Sequence, residues 1–308
     1  MDTTLHASTS GIPELRDVST PAGLEQAVLA LGSEPKQCLV CRATNPLRYF
    51  ERFDKWHWRC EQCELVWVHD IYPEFVEHSP REVVLEVFLN TASPRNESKL
   101  WPMAFGEFER YHQNGRVLDV GCGPGFFLKE AKRRGWQEHG VETLDVLAQY
   151  SKLEAGLNVI SGDLSSAAFP SDHFDIVHMN EVIEHVVDPI DLLLEIKRVL
   201  RPGGMAYLRT GSVESWSSRL RGKEWPYYGF AANGHIRFYG PTSAQALGRA
   251  AKFKRVEVTT SGFALREGGE LKGHWYRPLV RWAQGPLSAL AGPAGAGHRL
   301  TMRFIKPT

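Results

Sequence analysis

Two carboxylates and an imidazole stand close together in the segment MNEVIEHVVDP, residues 179 to 189. Glu181 and Glu184 are three residues apart and His185 follows Glu181 by four, so on a helical turn the three side chains can converge on one side. His235, in NGHIRFYG, is a fourth candidate further along the chain. Carboxylate and imidazole ligands together suit a divalent ion such as Mg²⁺, Mn²⁺ or Fe²⁺.

Two other interpretations of this segment stay open. In the first, the glutamate caps a helix and His185 supports the adjacent loop, with no ion bound. In the second, His185 is a general base with Glu184 beside it, because an imidazole near its ordinary pKa can accept a hydroxyl proton. The catalytic prediction therefore names His185 and Glu184, and the candidate divalent-ion site comprises Glu181, Glu184, His185 and His235.

Four of the five cysteines indicate a different metal site. Cys38 and Cys41 form one C-x₂-C pair, and Cys60 and Cys63 form another after a short interval. Four thiolates at this spacing are typical of a structural zinc ribbon, whose closed coordination does not activate water. Short alternating runs such as RYFERF predict small antiparallel strands around the zinc.

The stretch VLDVGCGPGFFL, residues 117 to 128, carries an apolar strand straight into Gly121, Gly123 and Gly125 and then into a helix. Glycine lets the backbone turn sharply and approach a ligand closely, as it also does in dinucleotide-binding folds. Asp119 lies inside the strand, where a buried carboxylate is costly unless it meets a cationic or hydrogen-bonding ligand. A pyrophosphate gains nothing from an anion there, which argues against a dinucleotide.

Acidic residues also follow the next two strands. Glu142 stands at the end of the second strand, where dinucleotide folds place the acid that accepts hydrogen bonds from a ribose diol. Asp163, in SGDLS after the third strand, is available to an exocyclic amine.

The elements that must position these residues alternate between strand and helix. The apolar runs RVLDV, EHGVE, NVIS, FDIVHM and MAYLRT are separated by helical patterns such as FFLKEAKRRG and IDLLLEIKRVL. This alternation predicts an α/β fold, a doubly wound and mainly parallel sheet. The later runs KRVEVTT and HRLTMRFIK add two further strands, and LRPGG is expected to be a turn before MAYLRT.

Taken in order, LDVGCGPG, GVE, GDL, FDIVHMNEVIEHVVDP and LRPGG resemble the motifs of class I S-adenosylmethionine-dependent methyltransferases over about residues 115 to 260. The resemblance implies a Rossmann-like sheet of seven strands and S-adenosyl-L-methionine as cofactor. It implies that Gly121, Cys122 and Gly123 line the methionine part of the cofactor, with Asp119 near its amino end and Gly125 completing the turn.

The same resemblance extends to the nucleoside and the reacting centre. It implies that Glu142 takes the ribose, that Asp163 takes the adenine amine with Leu164 beside the ring, and that Asn180 lies near the sulfonium. The E-x-x-E-H segment is similar to that of ubiquinone-pathway catechol O-methyltransferases and of small-RNA 3′-terminal 2′-O-methyltransferases. Both hold a divalent ion beside the cofactor and chelate neighbouring oxygens, which implies a hydroxyl as the methyl acceptor.

The chain is predicted to divide into four parts. Residues 1–33 form a flexible leader, 34–75 the zinc ribbon, 76–114 a helical lid or linker, and 115–308 the methyltransferase domain. In the linker, aromatic residues at helical spacing are expected to pack against the main domain: Trp101, Phe105, Phe108 and Tyr111. An insertion at about 211–240, rich in Trp, Tyr and Arg, is predicted to bind the acceptor. The role of residues 266–297 stays open.

Composition limits the function classes. Thirty-six basic residues balance thirty-six acidic ones, so no overall field draws the protein to nucleic acid or an anionic membrane. No segment has the length or flanks of a membrane span or signal peptide, and a cytoplasmic protein is expected. The main hypothesis is O-methylation of a small hydroxylated metabolite or a sugar or glycan precursor. Methylation of a terminal RNA ribose and a non-catalytic zinc-ribbon scaffold are the alternatives, and the oligomeric state stays open.

Overall fold

A seven-stranded sheet forms the larger part of the protein. The computed structural model describes residues 34–69, 88–89, 101–229, 234–264 and 277–308. The sheet has the strand order β10-β11-β8-β7-β4-β5-β6. Its members are β4 (Arg116–Val120), β5 (Gln137–Glu142), β6 (Val159–Ser161), β7 (Phe174–Asn180), β8 (Leu200–Gly211), β10 (Arg255–Ser261) and β11 (Arg299–Ile305).

Within this sheet the neighbouring strands β8, β7, β4, β5 and β6 pair in parallel, and β11 pairs antiparallel with both β8 and β10. The predicted doubly wound, mainly parallel sheet of seven strands is therefore confirmed. Central strand β7 is buried along almost its whole length, as expected where helices cover both faces. Because parallel strands end at the same edge, the ends of β4, β5, β6 and β7 converge on one cleft.

Helices follow the strands as the periodicity predicts. They are α1 (Trp101–Phe108), α2 (Phe126–Arg133), α3 (Asp145–Gln149), α4 (Pro189–Val199), α5 (Trp216–Arg221), α6 (Pro226–Gly229), α7 (Pro241–Ala250) and α8 (Arg277–Ala291). Helix α4 shows the local reasons. The Asp188 carboxylate accepts hydrogen bonds from the backbone N–H groups of Ile190 and Asp191, and Lys197 and Arg198 occupy the last turn, where the helix dipole favours cations.

Helix α1 packs against the main sheet through its aromatic face. Phe105 and Phe108 are fully buried. Phe105 stacks on Phe127 of α2 with ring centroids 5.2 Å apart, and Phe108 meets Tyr207 of β8 edge-on at 5.1 Å. The described part of the linker is thus a helix packed on the core. Of the predicted lid before residue 101 only residues 88–89 are described, and the predicted leader lies outside the described residues.

The cysteine-rich region forms a second, smaller sheet. Strands β1 (Leu47–Arg52), β2 (Lys55–Arg59) and β3 (Val66–Val68) are antiparallel, as the alternating runs predict. A fourth strand, β9 (Arg237–Phe238), comes from the insertion at about 211–240 of the larger domain and pairs with β3. The Arg237 guanidinium strengthens this junction by donating from Nη1 to the carbonyl of Val68 at 3.0 Å.

Three regions differ from the sequence predictions or extend them. The insertion is not a structureless loop, because it contains α5, α6 and β9. The LRPGG stretch, expected as a turn, is incorporated into β8, whose pairing with β7 shifts register there. The open segment 266–297 contributes α8 beside β10. None of the helices in the described ranges combines the length and apolar character needed to cross a membrane.

Candidate active site and metal centres

The glycine turn lies at the end of β4 and leads into α2. Gly121, Gly123 and Gly125 have φ values of 72°, 52° and 77°, in the left-handed region that favours glycine. A Cβ atom at position 121 would lie 2.5 Å from Cγ2 of Val182. Backbone conformation and space both require glycine at this position. Without a side chain there, the backbone of the turn can lie directly against a ligand in the cleft.

Glu142, which is predicted to bind the ribose of the cofactor, also stabilises this turn. Its carboxylate accepts hydrogen bonds from the backbone N–H of Gly123 at 2.8 Å and of Leu144 at 2.9 Å. The side chain is buried, and this burial raises its pKa. A carboxylate has about four lone-pair positions, so two backbone bonds leave capacity for a ribose diol. The same side chain can therefore shape the turn and bind a ligand.

Asp119 has a partner that the sequence analysis missed. In the parallel register of β4 and β7, Asp119 stands directly beside His178. His178 Nδ1 lies 2.7 Å from Asp119 Oδ1, both side chains are buried, and the imidazole stacks on Phe127 with centroids 3.8 Å apart. The carboxylate that seemed to need a ligand is thus already hydrogen-bonded within the protein. The signal was present as a lone histidine in the buried run FDIVHM.

The remaining predicted cofactor residues lie along the same edge. Asp163 follows β6, and its Oδ1 accepts the backbone N–H of Ser166 at 2.7 Å, a bond that lowers its pKa. Leu164 is buried and Asn180 is the last residue of β7. Burial raises the pKa of the Cys122 thiol, which suits a small residue in a tight turn and not a nucleophile.

A second group of donors lies just beyond β7. Glu184 and His185 occupy the short 3₁₀ turn Ile183–His185, and His235 comes from the insertion immediately before β9. One ligand atom from each of these three residues lies within 4.8 Å of the others. Glu184 is fully buried, and its Oε2 has no hydrogen-bond partner among the described residues. A buried carboxylate oxygen beside two imidazoles offers a set of ligands that suits a divalent cation.

Backbone carbonyls fix the two imidazoles in the form that binds metals. His185 Nδ1 lies 3.0 Å from the carbonyl of Gly234, and His235 Nδ1 lies 3.3 Å from the carbonyl of Tyr227. A carbonyl only accepts, so each Nδ1 carries the hydrogen and each Nε2 the lone pair. Burial lowers the pKa of His235 to about 4, so this ring is neutral at pH 7. Burial, and after it the charge of Glu181, raises the pKa of Glu184 well above its ordinary value.

Glu181 lies next to this group but not in it. Its φ of 54° is left-handed, and its carboxylate forms an ion pair with Arg299 on β11. The structure therefore brings together three of the four predicted cation ligands. The helical turn begins only at Ile183, so no helical repeat brings Glu181 beside Glu184, although both carboxylates lie against the hydroxyl of Tyr227.

The four cysteine sulfurs form a separate cluster at the base of the ribbon. The Sγ atoms of Cys38 and Cys63 are 3.6 Å apart and those of Cys41 and Cys60 are 3.4 Å apart. Zinc–sulfur bonds of about 2.3 Å in a tetrahedron place the sulfurs about 3.8 Å apart, so the set fits zinc.

The two cysteine turns repeat one geometry. The carbonyl of Cys38 accepts from the N–H of Arg42, and that of Cys60 accepts from Glu64, each four residues on. Arg42 and Glu64 both have left-handed φ values, 62° and 63°. Two equivalent knuckles facing each other agree with the predicted zinc ribbon.

Comparison with known proteins identifies the fold and the family together. The profile of the methyltransferase domain family matches residues 75–258. The chain belongs to this methyltransferase family.

Two solved structures share the fold of this methyltransferase. One is a Haloferax volcanii complex of the Trm112 methyltransferase activator with a methyltransferase, at a TM-score of 0.52, 20% identity and coverage of 75% of this chain and 100% of that one. The other is the plantazolicin methyltransferase BpumL, at a TM-score of 0.52, 16% identity and coverage of 76% of this chain and 93% of that one.

Curated relatives of the methyltransferase include ubiquinone biosynthesis O-methyltransferases. The Vibrio cholerae protein is 32% identical over 153 residues, covering 41% of this chain and 62% of the relative. The Pseudomonas fluorescens protein is 33% identical over 109 residues, which cover 33% of this chain and 47% of the relative. The chain spans about half the length of the curated relatives it matches.

The insertion of the methyltransferase contributes a residue that the sequence analysis did not single out. Tyr227 is 6% exposed, and its hydroxyl lies 2.5 Å from Oε1 of Glu184. Trp225 and Tyr228 are likewise buried, and they pack with Tyr227 in one apolar cluster against the smaller sheet. That the insertion binds the acceptor stays a prediction.

Proposed function

We propose that this methyltransferase transfers the methyl group of S-adenosylmethionine to a hydroxyl of a small metabolite or of a sugar or glycan precursor, with a divalent cation held by Glu184, His185 and His235. The observation that carries the proposal is the convergence of these three side chains with a buried, unpartnered carboxylate oxygen. They lie a few residues beyond Asn180, at the edge where the cofactor cleft opens.

The cofactor assignment rests on the residues at the ends of β4 to β7. The backbone from Gly121 to Gly123 would line the methionine part, with Asp119 held by His178 near the amino group. Glu142 would accept the ribose hydroxyls. Asp163 and Leu164 would take the adenine through its amine and ring face, and Asn180 would lie near the sulfonium. The positive φ angles and the bracing of the turn by Glu142 support this arrangement.

A cation held at the three ligands would supply positive charge that lowers the pKa of an acceptor hydroxyl and fixes its position. Two imidazoles with one carboxylate favour Mn²⁺ or Fe²⁺ over Mg²⁺, which prefers oxygen ligands. As the acceptor oxygen forms its bond to the methyl carbon, the carbon–sulfur bond breaks, the bonding pair stays on sulfur, and the hydroxyl proton passes to a base. His185, whose Nε2 carries the lone pair, is that base if no cation binds.

Support for a hydroxyl acceptor comes from the relatives, whose names specify O-methyltransferases of ubiquinone biosynthesis. Support for a small acceptor comes from the balanced charge, since nucleic-acid binding relies on excess basic residues. The four sulfurs of the ribbon would hold structural zinc, whose closed coordination leaves no position for substrate.

The test separates the cation from the ribbon zinc. Protein treated with a chelator, and shown by elemental analysis to keep its zinc, is assayed with labelled methyl donor against a panel of hydroxylated metabolites. Activity should fall and return with Mn²⁺ or Fe²⁺, and Glu184→Gln and His235→Ala should remove this recovery. Glu195→Gln, a surface carboxylate on α4 paired with Arg198, is the matched control.

Each competing function has its own outcome in this assay. Full activity in excess chelator would refute the cation and leave His185 as the base. Label that enters RNA and not small molecules, with strongly salt-dependent binding, would favour the terminal-ribose alternative. Absence of any calorimetric binding of S-adenosylmethionine would favour the non-catalytic scaffold.

A further inference from the structure

The hydroxyl of Tyr227 lies at the centre of a buried polar network. It is 2.5 Å from Oε1 of Glu184 and 3.1 Å from Oε2 of Glu181. On its other side it lies 2.7 Å from Oγ1 of Thr210 and 3.1 Å from the backbone N–H of Gly211. A tyrosine hydroxyl has one hydrogen to donate and two lone pairs. The Gly211 N–H can only donate, so the hydroxyl accepts from it. An ionised carboxylate can only accept, so the hydroxyl gives its hydrogen to a carboxylate, of which that of Glu184 is nearer, and accepts from Thr210.

This hydrogen bond determines which oxygen of Glu184 can reach a cation. With Oε1 held by Tyr227, Oε2 is the atom left unpartnered within the described structure. The carboxylate is fully buried on a short 3₁₀ turn, where the hydroxyl of Tyr227 is the hydrogen-bond donor to its Oε1. A buried ligand fixed through its second atom is the usual way in which proteins orient a metal ligand.

The same residue also orients a second ligand. Its carbonyl lies 3.3 Å from Nδ1 of His235, and its ring lies 4.5 Å from that imidazole, centroid to centroid. Tyr227 therefore contacts Glu184 through its side chain and His235 through its main chain. These contacts link the insertion to the turn after β7, two segments that are far apart in sequence.

The ribbon holds Tyr227 in place from the opposite side. Arg52, the last residue of β1, donates from Nη1 to the carbonyls of Lys223 at 2.5 Å and Trp225 at 2.9 Å. Phe50, also on β1, meets the ring of Tyr228 edge-on at 4.8 Å. Helix α6 is thus fixed between the ribbon and the cluster of three ligands.

We propose that Tyr227 is the positioning residue of the cation site: its hydroxyl sets the orientation of Glu184 and its carbonyl that of His235, so the site is complete only when the insertion is docked. This inference rests on the proposed cation. It assigns Tyr227 no contact with the methyl donor or acceptor. Its role is exerted through the two ligands.

The experiment measures Mn²⁺ binding to the full chain by electron paramagnetic resonance, with ribbon zinc retained and verified. Tyr227→Phe removes one oxygen and leaves the ring and carbonyl, and it should weaken Mn²⁺ binding about 10- to 100-fold, the usual effect of losing the partner of a metal ligand. Thr210→Val, which loses a bond to the same hydroxyl but none to Glu184, is the matched control. Tyr228→Phe is a second control on the neighbouring ring. Both should keep Mn²⁺ affinity within about threefold of the wild type.

The outcomes distinguish this inference from the proposed function. If the wild type binds no Mn²⁺, the cation itself is refuted. If the wild type binds and Tyr227→Phe binds equally well, or if Thr210→Val weakens binding as much, the positioning role is refuted. Thermal melts and binding of S-adenosylhomocysteine, which a local effect at the cation should leave unchanged, accompany each variant.

A label that keeps the hydroxyl tests the same geometry without risk to the fold. The ¹⁹F resonance of 3-fluorotyrosine at position 227 should broaden on addition of Mn²⁺. The same label at the exposed Tyr49 on β1 should broaden much less. Equal broadening of the two resonances would place Mn²⁺ away from the cluster and would overturn the inference.

Discussion

Replacing Glu142 by glutamine tests the proposed cofactor cleft most directly, because this side chain holds the glycine turn and is proposed to accept hydrogen bonds from the ribose of the cofactor. In the wild type, its two oxygens accept from the backbone N–H groups of Gly123 and Leu144. In Glu142→Gln, the amide oxygen can accept from only one of these groups, and the amide nitrogen must face the other donor. The ribose hydroxyls also lose a charged acceptor.

The size of the effect follows from these contacts. A hydrogen bond to a charged group is worth about 1.5–3 kcal/mol, which corresponds to a loss of cofactor affinity of about 10- to 150-fold. The unsatisfied backbone donor lowers the free energy of unfolding by a further amount of about 1–3 kcal/mol. Affinity and stability should therefore both fall, without loss of the fold.

Calorimetric titration with S-adenosylhomocysteine measures the first effect, and urea unfolding measures the second. Glu138→Gln lies on the same strand and replaces a carboxylate whose partner is Lys132 at 3.5 Å, so it serves as the control and should change neither value appreciably. Affinity of Glu142→Gln within about threefold of the wild type would refute the assignment of the ribose to this residue.

Three further results are expected. Burial lowers the pKa of His57 to about 4, whereas in the unfolded chain this imidazole protonates near pH 6.5. The free energy of unfolding should therefore fall by about 3 kcal/mol as the pH drops from above 6.5 toward 4. Urea unfolding of His57→Phe should lack this part of the pH dependence. Cys60→Ser should lose ribbon zinc by elemental analysis while Cys122→Ser keeps it, and equal zinc in both would contradict the four-sulfur site. Gly121→Ala should lower the melting temperature and cofactor affinity, and Val182→Ala should restore only part of the loss because the left-handed φ of 72° still costs about 1 kcal/mol.

Local patterns were sufficient to predict the large sheet. Each of its strands is an apolar run followed or preceded by turn residues, and parallel pairing then places the ends of β4, β5 and β7 side by side. The two knuckles were predictable because Cys38 and Cys60 each begin a C-x₂-C pair. The three grouped side chains of the proposed cation site were singled out by residue type, although Glu181 was assigned to them by a helical periodicity that a left-handed backbone interrupts.

What the sequence could not predict depends on contacts between distant segments. The Asp119–His178 pair needs the register of β4 against β7, which periodicity does not fix. Strand β9 has only two residues and no hydrophobic pattern of its own. Tyr227 lies in a stretch dense in aromatic residues, and only its position against Glu184 distinguishes it from Tyr228.

The pairing of β3 with β9 bears on how such a protein can be dissected or recombined. Val68 and Arg237 meet across a separation of 169 residues, so the smaller sheet is not an N-terminal appendage that can be removed at a cut near residue 75. A fragment beginning there would expose the edge of β9 and the buried Phe238 to solvent. Transfer of the ribbon to another protein would accordingly have to include the insertion as well, because each segment supplies strands of the same sheet.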